Sequence, residues 1–195
     1  MDLREIDNLE FVEVLMSKVL GSWSGMRKYL EKEIIAPSLL GKVRYNCTRY
    51  VGMDDCHIFE LYINDKKIKQ FSWETVNSYF INTGLKMNNR PFGVLEYWNE
   101  YWTLLDTIPM NERTEYTDNE FCNALEIYRQ QRIEDSIHSD NPLVMMFAIL
   151  DRRIGKRTLM HLKASIVHQP IWLQQLYTIR LDSENLKSAN SSLWK

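Results

Sequence analysis

Arg152, Arg153, Lys156 and Arg157 place four cations within six residues, directly after the apolar run 143–150. Guanidinium forks match the oxygens of phosphates and carboxylates, and backbone N–H groups converge on anions at a helix start. Two helices meeting at Gly155 would therefore present an anion-binding edge. As a helix-turn-helix, the corner would carry residues 156–163 into a DNA groove. The same four cations also suit a structural use. Arg152 and Arg153 fall where a helix C-terminus attracts positive charge, Lys156 and Arg157 open the next helix, and all four can pair with acids of the middle region. Exposed pairs of that kind contribute only about 0–1 kcal/mol each.

Trp98, Tyr101 and Trp102, with Tyr97 beside them, form a second chemically capable group. Such rings stack on bases, fill pockets or anchor interfaces, but at helical spacing they equally build a core. Asp54, Asp55, Cys56 and His57 gather metal-capable groups at a hairpin turn, with Glu60 on the strand behind. Neighbouring strand residues point to opposite faces and cannot all converge, so a solvated turn is expected, with no metal and no cofactor. His161 and His168 are read as structural.

Complete catalytic motifs do not emerge. The stretch Gly21-Ser22-Trp23-Ser24-Gly25 has the outline of a nucleophile elbow, but Trp23 stands where serine is required. Leu40-Gly41-Lys42-Val43 resembles the end of a phosphate-binding loop, yet Ala36 replaces the earlier glycine and no Ser or Thr follows Lys42.

Positioning these residues falls to a chain of 195 residues, long enough for one sizeable core without metals or disulfides. Hydrophobic residues make up 45% and charged residues 26%, values that exclude general disorder. Three cysteines, Cys47, Cys56 and Cys122, give neither an even disulfide set nor a metal-ligand spacing, which points to a reducing cytoplasm. The acidic N-terminus is unlike a signal peptide, and no run of eighteen apolar residues predicts a membrane span. Net charge is −2, but residues 96–140 carry eleven acids against Arg113, Arg129 and Arg132. An acidic region and a basic remainder follow.

Asp7 and Glu10 have capping-box spacing and lead a first helix to Gly21; Trp23, Met26, Leu30 and Ile34 stripe a second, stopped by Pro37. From Val43 the chain turns β-branched and aromatic, and three strands follow. Gly52-Met53-Asp54-Asp55 makes the first turn and Asn64-Asp65 the second, with His57, Phe59, Leu61 and Ile63 on one face. Ser72 and Gly84 bracket a helix, residues 86–91 form a polar loop, and Val94, Trp98, Tyr101 and Leu105 mark the next helix. Residues 106–117 read as a long connection. Thr117 and Glu120 form another capping box before Phe121, Leu125 and Tyr128. Pro142, Gly155 and Pro170 punctuate three further helices, Gly155 as the left-handed end of a buried helix over 143–150. The tail after Ser183 reads as loosely ordered. The expected fold is α+β: N-terminal helices, a three-stranded antiparallel β-meander and a helical C-terminal lobe. It is a single domain over 1–195, in which 1–105 and 117–183 could form two lobes.

Several pieces together carry a resemblance: Trp23-Ser24, Ser38-Leu39 with Gly41, Thr48-Arg49-Tyr50, Asn141-Pro142, and Asp151-Arg152-Arg153 with Gly155-Lys156-Arg157. Over about 23–181 the chain resembles a family of uncharacterised bacterial cytoplasmic proteins. Members pass from the Thr-Arg-Tyr strand through a His-Asp pair into a glycine hairpin, whereas here the order is Gly52-Met53-Asp54-Asp55-Cys56-His57, so no active-site role transfers to His57 or Asp55. The resemblance implies a bacterial cytoplasmic protein and no particular activity. From the residues, the functional expectation is a non-enzymatic interaction module docking an acidic partner through the basic helical corner. The alternative is a protein binding nucleic acid or a phosphorylated ligand, with or without hydrolysis.

Overall fold

A computed structural model describes residues 22–49, 57–85 and 95–186. The expected first helix, the turn at Gly52 to Asp55, the polar loop 86–91 and the tail from 187 lie outside the described residues.

Ser22 caps the first described helix, α1 (Trp23–Lys28), its hydroxyl accepting from the Gly25 N–H at 3.2 Å. That cap is the role of the elbow-like sequence. The helix widens into a π-turn over Tyr29–Glu33 and ends at Ile34, three residues before Pro37. Three strands then form one antiparallel sheet in the order β1-β2-β3: β1 (Val43–Arg49), β2 (His57–Ile63) and β3 (Lys66–Phe71). The β2–β3 turn uses Asn64 and Asp65 at φ of 50° and 61°, the mirror-image turn whose twist matches a hairpin. Side chains of β2 alternate as its sequence requires, with His57, Phe59, Leu61 and Ile63 buried.

Ser72 caps α2 (Trp73–Thr83), and Gly84 ends it at φ 75°. After α3 (Leu95–Asp106) comes the connection 107–117, which contains a 3₁₀ turn over Met110–Glu112 and the fully buried Tyr116. Both halves of the Thr117–Glu120 capping box form at the start of α4 (Asp118–Gln130). The remaining helices are α5 (Ile133–Ile137), α6 (Pro142–Leu150), α7 (Lys156–His161), α8 (Lys163–Ile166) and α9 (Ile171–Ser183). No helix among the described residues is long and apolar enough to cross a membrane.

The apolar face of the sheet is covered by α4, not by the helices that immediately follow it in sequence. The Phe121 ring lies 4.8 Å from Phe59, 4.9 Å from Phe71 and 5.5 Å from Phe147, tying sheet, α4 and α6 into one core. Every residue of α6 is buried, as a short helix apolar on all sides demands. This main core draws on both sides of the connection 107–117. Helices α2 and α3 build a separate, smaller cluster from Val76, Phe80, Tyr101 and Leu105.

Gly155 corrects the sequence reading. It sits at φ −82° and ψ 169° as the N-cap of α7, not in the left-handed region, and a Cβ there would meet nothing within 4 Å. Substituting Gly155→Ala should therefore change stability by less than about 1 kcal/mol, the scale of an N-cap exchange. Gly84→Ala forces a Cβ onto a left-handed backbone and should cost about 1–2 kcal/mol. Urea unfolding of the two variants separates these outcomes, and equal losses would contradict the assignment.

Candidate functional site: the basic corner between two C-terminal helices

What stops α6 is a long-range contact. Asp151 is extended and forms an isolated antiparallel bridge with Ile35, in which Ala36 N–H donates to Leu150 O at 2.9 Å and Arg152 N–H to Ile34 O at 2.7 Å. The Asp151 side chain turns inward and is 1% exposed. It accepts from the Tyr128 hydroxyl, from the Arg153 N–H at 2.6 Å, and from Arg153 Nε and Nη2 at 3.0 and 2.7 Å. The Arg153 guanidinium also donates to the Tyr128 hydroxyl at 3.1 Å and stands over its ring. The Asp151 carboxylate raises the pKa of Arg153; burial, then Asp151, raises that of Tyr128.

Lys156 is held from the other side. Its ammonium donates to Glu184 O at 2.9 Å and lies 4.0 Å from the Glu184 carboxylate. The buried Arg180 guanidinium donates to Glu184, to Ser38 Oγ at 2.6 Å and to Ile154 O at 3.2 Å. Ser38 Oγ in turn donates to Glu184 at 2.7 Å. Burial alone would raise the Glu184 pKa, but the bonds from Ser38 and Arg180 outweigh it and hold the carboxyl below its usual range. Burial lowers the Arg180 pKa. The Ser38-Leu39-x-Gly41 and Asp151-to-Lys156 motifs thus close one latch, although more than a hundred residues separate them.

The expected pairing with acids of the region 96–140 does not occur at the corner: Arg153 pairs with Asp151 and Lys156 with Glu184. Acids of that region serve other cations, Glu115 pairing with buried Lys69 and Glu120 with buried Arg113, each at 2.5 Å. Arg152 and Arg157 are exposed and make no side-chain ion pair among the described residues. All four cations are exposed, and they divide into two tied to carboxylates of the fold and two without an ion pair among the described residues.

A feature missed in the sequence extends the second pair. Between Asp151 and Asp182 there is no carboxylate, and Lys163 is a further exposed cation with no ion pair among the described residues. The backbone stays right-handed through Leu162 and Val167, so α7 and α8 form a nearly continuous ridge. Its inner side buries Leu159, Leu162 and Ile166; its outer side exposes Arg157, Met160, His161, Lys163, Val167 and His168. Met160 and Val167 are 51% and 55% exposed, and Ile171 at the start of α9 is 56% exposed. The absence of acids over thirty residues was the signal available from sequence.

The aromatic stripe packs on the smaller core, with its two tryptophans left partly open to solvent. Tyr101 is fully buried, 5.4 Å from Phe80, while the half-buried Trp98 and Trp102 pack against it edge to face at 5.8 and 5.3 Å. Of the group considered for a metal, Asp54, Asp55 and Cys56 lie outside the described residues. His57 is buried and stacks on Phe59, whereas Glu60 lies on the other face, bonded to Lys67 and Tyr62. Among the described residues no three His, Cys, Asp or Glu side chains gather as a metal site. His161 and His168 are exposed on the ridge.

A DNA-reading geometry has little to stand on. A helix-turn-helix needs a first helix that crosses the backbone and a second that fills the groove. Here α6 is buried throughout, and α7 has only six residues.

The chain belongs to the SF0329 protein family, whose model matches residues 22–181. No curated protein and no solved structure matches it.

Proposed function

We propose that this member of the SF0329 protein family is a non-enzymatic docking module that recognises an acidic protein partner through the ridge of α7 and α8. The observation that carries the reading is the set of exposed cations Arg152, Arg157 and Lys163, without an ion pair among the described residues and interspersed with exposed Met160 and Val167 on a stretch free of carboxylates. A partner segment bearing carboxylates around one or two apolar side chains complements that pattern. Its apolar groups leave water against Met160 and Val167, and its charges steer the approach. We take the setting to be the bacterial cytoplasm, a reading supported by the odd number of cysteines, three, which makes no complete disulfide framework.

The test separates the two halves of the corner. The triple variant Arg152→Ser, Arg157→Ser, Lys163→Ser should lose the partner bound by the native protein in pull-downs from its own lysate, with an unchanged melting temperature. Variants Arg153→Ser and Lys156→Ser should lower the melting temperature. A partner retained by the triple variant would end the docking reading. Duplex DNA bound with affinity falling steeply in salt would replace it with the nucleic-acid alternative.

A further inference from the structure

Two stretches of the chain are electrostatic opposites. Residues 152–181 carry six Lys or Arg and no acid, whereas residues 91–112 carry Glu96, Glu100, Asp106 and Glu112 and no base. The first stretch holds the ridge of α7 and α8, and the second holds α3. Their helical edges match in length, since residues 156–166 rise about 17 Å and residues 95–106 about 18 Å.

Each edge also mixes its charge with open apolar surface. On α3, Leu95, Trp98, Trp102 and Asp106 recur at i, i+3, i+7 and i+11; Leu95 is 68% exposed and the two tryptophans are partly open. On the ridge, exposed Arg157, Met160 and Val167 stand at i, i+3 and i+10. Tryptophan and arginine are enriched among the side chains that anchor protein interfaces. Moreover, each edge bears a charge that its own helix disfavours. Arg157 lies in the first turn of α7 and Asp106 in the last turn of α3, where the helix dipole favours the opposite sign. Both are exposed, and no ion pair among the described residues offsets either of them.

We infer that the ridge of one copy docks on α3 of a second copy of this chain, an inference that rests on the docking reading and names its partner. Arg157 and Lys163 of one copy meet Glu96 and Asp106 of the other, while Met160 and Val167 shed water against Leu95 and the open tryptophan edges. Like charges oppose the pairings of ridge with ridge and of α3 with α3. The contact is therefore heterologous, joining two different patches.

Sedimentation velocity of the full chain should show self-association that grows with concentration at low salt and weakens at high salt. Two charge-reversed proteins separate the surfaces: Arg157→Glu with Lys163→Glu, and Glu96→Lys with Asp106→Lys. Each alone should associate at least about tenfold more weakly than the native chain, because each sets like charges face to face. Mixed, they should associate again, since the mixture still offers the native ridge of the second protein to the native α3 of the first. Melting temperatures check the folding of both, and the single variants Arg157→Ser and Asp106→Asn, which should also weaken association, stand in for any reversal that unfolds. A native chain that stays monomeric at every concentration, folded variants that associate like the native chain, or a mixture that stays monomeric would overturn the inference. The docking reading fails separately, when the triple serine variant keeps its lysate partner. A monomeric native chain whose lysate partner is lost in that variant overturns self-docking alone.

Discussion

Replacing Asp151 with alanine should destabilise the protein by about 3 kcal/mol and lower its melting temperature by about 6–12 °C. Its buried carboxylate organises three separate things: the Tyr128 hydroxyl, the turn amide of Arg153 and the Arg153 guanidinium. Deleting it leaves a buried hydroxyl short of an acceptor, and such losses cost about 1–3 kcal/mol each. The charge pair itself adds little, because the Arg153 side chain is 51% exposed and can return to water. Tyr128→Phe should cost about 1–2 kcal/mol alone, and the double variant should lose less than the sum, by at least about 1 kcal/mol. Urea unfolding of the cycle measures this. Additive losses would mean that the bond between Tyr128 and Asp151 is not what holds the corner.

Half of the basic corner is therefore a joint and not a display of charge. The extended backbone at Asp151 closes the bridge to residues 34–36, and Lys156 and Arg180 fasten the far side through Glu184 and Ser38. These contacts fix the chain on both sides of Gly155, next to the exposed Arg152, Arg157 and Lys163. Under the proposed docking role, a variant of the joint should weaken binding through stability, and a variant of the ridge should weaken it without any change in stability.

Legibility in the sequence follows the range of the forces. Ser72, Gly84, the Thr117–Glu120 box and the Asn64-Asp65 turn were readable because each is a bond between residues at most a few positions apart. The alternation from His57 to Ile63 was readable because one buried face imposes period two. The misreading of Gly155 has the opposite origin: α6 ends on a bridge to residues more than a hundred positions away, which no local propensity encodes. The covering helix of the sheet was equally hidden, since Phe121 reaches Phe59 and Phe71 past two intervening helices. At the corner, charge density was visible but commitment was not: Asp151 stands two residues from Arg153 but is fixed by distant Tyr128 and Ile35, and Glu184 reaches Lys156 across 28 residues.

Asp118→Asn should act in the reverse direction and make the protein more stable at neutral pH. Asp118 opens α4, is 7% exposed and accepts from the His57 N–H at 3.2 Å, tying the helix start to the first residue of β2. Burial pushes its pKa up to about 6, against the opposing pull of the amides of His57, Asp118 and Asn119. In the unfolded chain the carboxyl titrates near its ordinary value of about 3.9. Between these two values the folded state holds the proton and the unfolded state has released it, so raising the pH through about 4 to 6 removes stability, by roughly 3 kcal/mol in all. Above pH 6 the full penalty of a buried charge is present; below pH 4 it vanishes. Asparagine keeps an acceptor for His57 and never ionises. Whatever constant cost the amide brings, the stability gap between variant and native protein should shift in favour of the variant by about 3 kcal/mol between pH 4 and pH 7. The carboxyls of Glu60 and Glu184, held below their usual range, lose their contribution as the pH falls through their own lower values, but they do so equally in both proteins and cancel from the gap. Denaturant unfolding at several pH values measures the gap directly, and a gap independent of pH would show that Asp118 is ionised in the folded protein throughout that range.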